Sequence, residues 1–356
     1  MSIKKSIWKD NDAAAVVEDV REAVQVIAYD NSRISDFIQQ NSPVNNAMIR
    51  YADLNDLYSD DRDGRMRLFP AVVREKYGKN EPVIAYVSFS YDDTADLEIL
   101  NNKGRFNITA YDRRVYNAVS TLFTNGRDTV SLSEIFSVMT GYTRTNPTKS
   151  QIETIEKSLE KLKSIKVYID MTQEVRHKLI KDKQPLIAAG VLSDQSDKVR
   201  KAVIEDTMLH FRKGELITEN GKVFKSIQIM AEPVLLTYNR AKKTLLTIPM
   251  EYIGLKSRNA TDKTIAFQDY LLMRIFGYKN RKMKENKILY DTLYRDAGQE
   301  KPEDSKGFIR DRETVAKMLQ EWKDKGLITD FAEVREGRSY TGIVFYTKQM
   351  PATGAK

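Results

Sequence analysis

Residues 147–170 read PTKSQIETIEKSLEKLKSIKVYID, a charged helical stretch that runs without a turn into an apolar, β-branched tail. Ile152, Ile155, Leu159 and Leu162 recur at three- and four-residue steps, which places them on one buried stripe of a helix. Pro147 suits the start of that helix, where its missing N–H costs nothing. Ser150, Thr154, Lys157 and Lys161 fall on the opposite face, free to meet something else. Ile165, Val167 and Ile169 then alternate as a strand. The stretch therefore predicts a helix with one face docked and one face offered, handing the chain directly to a strand.

The flanking sequence says what that helix docks on. AYDRRVYNAVSTLF (110–123) is a helix with Val115, Ala118, Val119, Leu122 and Phe123 on one face, and TNGRD breaks it. SLSEIFSVMTG (131–141) opens with a Ser131 cap, carries Glu134 three positions on, and stops at Gly141. Helix, short helix, longer amphipathic helix, strand is the order of a winged helix. After 172 come β-like pieces: PLIAAGVL (185–192), VIEDTMLHF (203–211), KVFKSIQIM (222–230) and KKTLLTIPMEYI (242–253). They predict an extended wing and a connection to a second unit.

The order recurs near 261. TDKTIAFQDYLLMRIFGY is a helix, NKILYDTLYRDAG (286–298) a second one ended by Gly298, and QEKPEDSKGF a polar link. RDRETVAKMLQEWKDKG (310–326) is a third, with Val315, Leu319 and Trp322 inward and Gly326 as its stop. LITDFAEVREGRSYTGIVFYTK is a hairpin around Glu336 and Gly337. The two halves share architecture rather than evident identity. Upstream, residues 12–40 read as helical, SDDRDGR as a loop, PVIAYVSFSY (82–91) as a strand, and LEILNNKGRFNIT (97–109) as a short hairpin. The expected fold is α+β, with two tandem winged-helix domains and an N-terminal helical/β arm. The divisions are 1–100 for the arm, 101–235 for the first domain with its extended wing and a possible dimerisation role, and 236–356 for the second, DNA-binding domain.

Composition narrows the function. The 356 residues contain no cysteine, which excludes disulfides, thiolate metal sites and cysteine nucleophiles. No apolar run is long enough to span a membrane, and mean hydropathy is -0.51. The N-terminus lacks the apolar core of a signal peptide, so the expected location is cytoplasmic. Only His177 and His210 are present, no phosphate-binding glycine loop occurs, and Asp60, Asp61 and Asp63 lack the terminal Glu of a calcium loop. No catalytic residue, metal or cofactor is expected, and the chain does not read as an enzyme. The formal net charge of +8 favours a polyanionic partner.

The basic residues cluster where such a partner would dock. Arg144, Asn146, Lys149 and Gln151 lie at the N-terminal end of the first unit's third helix, the end that enters a major groove. Thr154, Lys157 and Lys161 continue that face. Arg274, Lys279, Arg281, Lys282, Lys284 and Lys287 form a run between the first two helices of the second unit, suited to phosphate contacts. Arg310, Arg312, Thr314 and Lys317 lie on its third helix, with Arg312 and Lys317 the expected groove contacts. Arg335 and Arg338 flank the second wing tip, where a cation meets phosphate or a minor groove.

ITAYDRRVYNAVSTLF, SLSEIFSVMTG and SQIETIEKSLEKLKSIKVYID together resemble the replication initiator proteins of plasmids and integrative elements from Gram-positive bacteria. LLTYNRAKKTLLTIPMEYI, the helix around QDYLLMRI and NKILYDTLY resemble the second half of the same proteins. The resemblance covers 105–348. It implies an initiator whose monomers bind double-stranded direct repeats at an origin, help melt an adjacent AT-rich segment, and recruit the host helicase and host initiator. It also implies dimers formed through the first domain that are inactive or autorepressing. The third helices at 147–163 and 310–325 would be the groove readers, and the first unit's apolar surface or strand 82–91 the dimer contact. The alternatives are a winged-helix transcriptional regulator, with the same binding chemistry, and a mobile-element protein that binds a host protein.

Overall fold

The structure is a computed structural model and describes residues 33–50, 69–77, 81–91, 108–193, 199–221, 223–254, 261–280 and 283–348. The fold is mixed helix and sheet. Strand β1 (Asp36–Gln40) and helix α1 (Pro43–Arg50) precede strands β2 (Phe69–Tyr77) and β3 (Glu81–Tyr91). Then come α2 (Ala110–Thr124), β4 (Thr129–Ser131), α3 (Leu132–Met139) and α4 (Lys149–Ser164). Thr109 and Asp112 close a reciprocal capping box on α2, and the Ser131 hydroxyl accepts from the Glu134 N–H to start α3 as expected.

Helix α4 passes into β5 (Ile165–Asp170) with no turn, and β5 alternates buried and half-buried as its sequence predicts. Beyond β5 the chain does not enter a wing directly, contrary to expectation. Strand β5 pairs with β3 in a four-stranded sheet of order β2-β3-β5-β6, where β6 is Val203–Thr207. Helices α5 (Thr172–Arg176) and α6 (Gln184–Ala188) lie between β5 and β6. The hairpin comes later, as β7 (Phe211–Ile217) and β8 (Val223–Ile229), and β8 pairs with β4 to give the order β4-β8-β7. Strand β3, covering 82–91, pairs with β2 along Glu81–Val87 and with β5 along Tyr86–Tyr91, so Tyr86 and Val87 are held from both sides.

Helix α7 (Val234–Lys242) then leads to β9 (Leu245–Pro249) and the single turn α8 (Met250–Ile253). The second unit is built from α9 (Asp262–Lys279), β10 (Lys287–Leu289), α10 (Tyr290–Ala297), α11 (Ser305–Asp324), β11 (Asp330–Glu336) and β12 (Ser339–Tyr346). Its sheet has the order β10-β12-β11. Each unit therefore runs helix, short strand, short helix, long helix, hairpin, and in each the short strand pairs with the hairpin's second strand.

Several segments depart from their sequence reading. Residues 36–40 form a strand rather than the end of a helix, because β1 pairs antiparallel with β9 and buries Phe37. The rest of the expected helix, 12–32, lies outside the described residues, as do the loop at 59–65 and 97–107 of the expected hairpin. PLIAAGVL is not a strand. Pro185 sits at the start of α6, where its fixed φ is favourable, and within α6 Leu186 is the buried side chain. MEYI is helical rather than extended. NKIL at 286–289 is not helical, because 287–289 pair with β12 and sink Ile288. Gly342 permits that approach: a Cβ there would lie 2.5 Å from the Ile288 carbonyl oxygen. Helix α11 begins at Ser305 within the expected polar link, capped by Asp304, whose carboxylate accepts from the Gly307 N–H at 2.6 Å.

One apolar core runs through both units, from Val115, Leu122, Leu159 and Leu162 to Phe267, Leu271, Leu319 and Trp322. The boundary at 235/236 falls inside α7, whose Leu235, Leu236 and Tyr238 are all buried. Helices α2 and α9 are joined by a buried ion pair. Arg114 Nη2 donates to Asp269 Oδ1 at 2.5 Å and to Gln268 Oε1 at 2.9 Å, while Nη1 donates to the Met139 carbonyl at 3.2 Å. The loop leaving α3 rests on the turn after α8: at Gly141, whose φ is +57°, a Cβ would lie 2.5 Å from the Gly254 nitrogen. The end of α11 grips that turn from the other side. Lys325 Nζ donates to the carbonyls of Glu251 at 2.7 Å and Gly254 at 2.9 Å, and Trp322 Nε1 donates to the Tyr252 carbonyl at 3.0 Å.

Candidate nucleic-acid interface

Helix α4 exposes one face because its other face is fully used. Ile155, Leu159 and Leu162 are in the core. A second capping box starts the helix: the Thr148 hydroxyl accepts from the Gln151 N–H, and Gln151 Oε1 accepts from the Thr148 N–H at 2.8 Å. Gln151 is therefore taken up by the cap. Asn146, Lys149 and Lys157 are exposed, and the Lys149 ammonium lies 4.0 Å from Glu153 in a loose pair. The Thr154 hydroxyl is exposed and donates to the Ser150 carbonyl at 2.8 Å. Arg144 is half-buried, and its carbonyl accepts from the Thr140 hydroxyl.

Lys161 is not on the offered face. Its ammonium lies 2.6 Å from Asp112 Oδ2, with only 14% of its side chain exposed, and the Ser158 hydroxyl donates to the other oxygen of that carboxylate at 2.7 Å. The same Asp112 caps α2, so one buried carboxylate recruits Lys161 to fasten α4 onto α2. The expectation that Lys161 is free is corrected by this pairing.

The hairpin β7–β8 is fastened to α4 by charge. Lys225 Nζ lies 2.6 Å from Glu156 Oε2, and Lys213 Nζ lies 2.9 Å from Glu160 and 3.5 Å from Glu156. In the second unit the polarity is reversed. Arg312 on α11 grips Glu333 of β11 through two hydrogen bonds, 2.8 and 2.7 Å, and its guanidinium lies 3.2 Å over the Tyr340 ring. Tyr290 also donates to Glu333, at 3.0 Å. Arg312, an expected groove contact, is thus the bolt that holds the hairpin, which a planar two-pronged donor does well. Arg335 also lies over the Tyr340 ring, 4.1 Å from its centroid, and is exposed, as is Arg338 at the tip.

The remaining expected contacts on α11 stay outward. Arg310 and Lys317 are exposed; Thr314 is half-buried and donates to the Arg310 carbonyl at 2.9 Å. Ile309 stands 46% exposed between them and the helix start. Of the basic run, Lys284 is exposed, and Lys279 is half-buried with its ammonium 5.9 Å from the Phe276 ring. Arg274 donates to the Lys287 carbonyl. Arg281 and Lys282 lie outside the described residues. The structure thus gathers Asn146, Lys149, Thr154 and Lys157 on α4 and its approach, and Arg310 and Lys317 on α11, each set beside a hairpin bolted to its helix.

Both bolts are acid-sensitive. Hydrogen bonding from Lys225 holds the Glu156 carboxyl below the usual range. Burial pushes Glu333 up, but the hydrogen bonds from Arg312 and Tyr290 outweigh it and leave that carboxyl depressed. A depressed carboxyl contributes stability above its unfolded-state value, and that contribution is lost as pH falls through its folded-state value. Hydrogen exchange along β7–β8 should therefore accelerate, relative to α2, as pH drops below the ordinary glutamate range, after correction for intrinsic rates. Glu156→Gln should remove that selective effect; hairpin protection that still tracks acidification in the variant would refute the assignment.

Among the described residues no helix is long and apolar enough to cross a membrane, and no group of three potential metal-binding side chains gathers. His210 contacts Asp206 and Thr207 at the edge of β6. No protein-family model matches the chain, and no curated protein matches it. Two crystal structures of domains 2 and 3 of RctB align with it. The selenomethionine form aligns with a TM-score of 0.41 at 9% identity, over 85% of this chain and 97% of that one. The other aligns with a TM-score of 0.40 at 9% identity, over 80% and 92%.

Proposed function

We propose that the two units are winged helices and that the chain is a sequence-specific double-stranded DNA-binding replication initiator with no chemistry of its own. The observation that carries the DNA reading is the repeated arrangement of a long helix bolted to its own hairpin, with exposed cations left on the helix: Lys149 and Lys157 on α4, Arg310 and Lys317 on α11. A cationic helix face beside a hairpin suits a major groove and its flanking phosphates. One helix reads only a few base pairs; two on one chain read a longer site, because the second engages at high effective concentration. The initiator part of the reading rests on the sequence resemblance over 105–348, which brings with it repeated sites at an origin, local melting, and host helicase and initiator as partners. Self-association through the first unit, by its apolar surface or by strand 82–91, is part of the same reading.

The test is binding of the purified chain to duplexes from its own gene neighbourhood, titrated with salt and competitor, with footprinting of the bound species. Protection of direct repeats that survives competitor supports the reading. Weak binding abolished by competitor refutes it. A plasmid that carries the protected region and replicates only when the protein is supplied separates an initiator from a regulator. Lys157→Ala and Lys317→Ala should each leave the thermal transition in place and weaken binding. Each should also lower the salt slope by about 0.9 for every phosphate it no longer neutralises. An unaltered slope in both would remove these residues from the interface.

A further inference from the structure

The two long helices share a short run of sequence. Residues 153–159 of α4 read ETIEKSL, and residues 313–319 of α11 read ETVAKML. Under that match the inward rows coincide: Ile155 with Val315, Leu159 with Leu319, and Leu162 with Trp322, all buried. The row that meets the hairpin coincides too. Glu156 and Glu160 hold Lys225 and Lys213 in the first unit. Arg312, which holds Glu333, stands on the same row of α11, one turn before the position that matches Glu156. Each helix is therefore rolled alike against its core and its own hairpin. The outward residues that then correspond are identical: Glu153 with Glu313, Thr154 with Thr314, Lys157 with Lys317. Both threonine hydroxyls make the same bond, to the carbonyl four residues back, at 2.8 and 2.9 Å. Packing explains the inward match but not the outward one, because substitutions on an exposed face are usually within about 0.5 kcal/mol of neutral. The ordinary reason for a glutamate four residues before a lysine is an ion pair along the helix. Neither helix makes it. Glu153 lies 4.0 Å from Lys149 instead. Among the described residues Glu313 meets no cation, and Lys157 and Lys317 meet no carboxylate.

We propose that α4 and α11 read the same base pattern, so that the site covered by one chain holds one short sequence twice. Glu153 in one copy and Glu313 in the other accept from the N4 amino group of a cytosine. A carboxylate is repelled by phosphate, so it gains nothing from the DNA backbone. In the major groove it finds amino groups, and the cytosine N4 amino group is the one that acidic side chains take. Lys157 and Lys317, one turn further along, meet the flanking phosphates. The two copies differ where the helices differ. At the matching positions nearer the helix starts, α4 has Lys149 and Ser150 where α11 has Ile309 and Arg310, all exposed. Arg310 suits a guanine and Ile309 a thymine methyl group, so the copy under α11 carries that preference beside its cytosine and the copy under α4 does not. The proposal deepens the function proposed above and rests on its DNA part alone: it assigns the bases that the two helices select.

The experiment selects duplexes from a random pool with the full chain, keeping only complexes of one chain per duplex. The unaltered protein should enrich a site in which one short pattern, with a C·G pair, occurs twice. Glu313→Gln should lower discrimination at the C·G pair of one copy by about tenfold and turn it toward A·T, which a glutamine amide suits. The other copy should keep its preference. Glu153→Gln should do the same at that other copy. Both glutamates are exposed, so the thermal transition should stay in place. Glu205→Gln, which removes an exposed acid of β6, should alter no position. An enriched site without a repeated pattern overturns the proposal, as do unchanged base preferences in both helix variants. If each helix variant altered both copies, the repeat would belong to two chains rather than two helices, and the proposal would fall. A change with Glu205→Gln as well would make the effect one of charge alone and also overturn it. In all these outcomes the unaltered chain still binds DNA. A pool that yields no enriched duplex refutes the DNA reading itself, and this proposal with it.

Discussion

Leu159→Asp is expected to yield no folded protein. Leu159 is 1% exposed in the middle of the α4 stripe, between α2 and α3. Truncation alone, Leu159→Ala, removes buried methylenes and leaves a cavity, costing about 2–5 kcal/mol. An aspartate adds an unpaired charge with no buried partner to meet it, which costs several kcal/mol more unless the group takes up a proton. The sum is of the order of the whole stability of an ordinary domain, about 5–15 kcal/mol. Because the core is continuous through both units, the damage should not stop at the first one. Circular dichroism should show loss of the helical signal of the entire chain, and Leu159→Ala should melt in one transition at lower temperature. A second, unshifted transition in Leu159→Ala would show that the units are stabilised separately and that their shared core is energetically weak.

The second large effect belongs to the ion pair between α2 and α9. Arg114→Met should lose roughly 3–5 kcal/mol, because it strands a buried carboxylate rather than removing a pair. The loss should depend on pH in a defined direction. Burial already pushes the Asp269 carboxyl above the usual range, with Arg114 opposing that push. Without the guanidinium the folded-state value rises further above the unfolded one. Between those values the folded chain holds a proton the unfolded chain has released, so stability falls as pH rises through that interval and is recovered on acidification. Urea titrations of Arg114→Met at several pH values check this. A pH-independent loss, or one no larger than that of a surface substitution, would show that Asp269 is solvated and that the pair does not hold the seam. Arg114→Met/Asp269→Leu should recover much of the lost stability, since an apolar pair of similar volume replaces a buried ionic one at little cost.

What the sequence made legible was whatever depends on neighbours along the chain. The stripe of α4, the Ser131 start of α3, the alternation of β5 and the turn at Glu336 and Gly337 each arise from spacing within a dozen residues. What stayed hidden depends on partners far away. Strand β1 exists because β9 lies beside it, and Lys287–Leu289 extends because β12 does. Helix α7 went unread because it is buried nearly all round, and such a helix shows no stripe. The offered cations were found by their helical position, but position alone could not separate Lys157 from Lys161: the difference is Asp112, on another helix. Arg312 was misread for the same reason, since Glu333 and Tyr340 lie on strands later in the chain.

The contact of Gly141 with Gly254 also bears on how such a chain can change by descent. The two units resemble modules that recombination could exchange, yet Gly141 meets Gly254 there backbone to backbone, with the Thr143 side chain packed against Gly254. A replacement unit acquired from elsewhere would have to bring a residue without a Cβ at that point and a loop of the same course. Exchange of either unit alone should therefore be rare among relatives, and new target sites should arise by drift at outward positions such as Lys157 and Lys317.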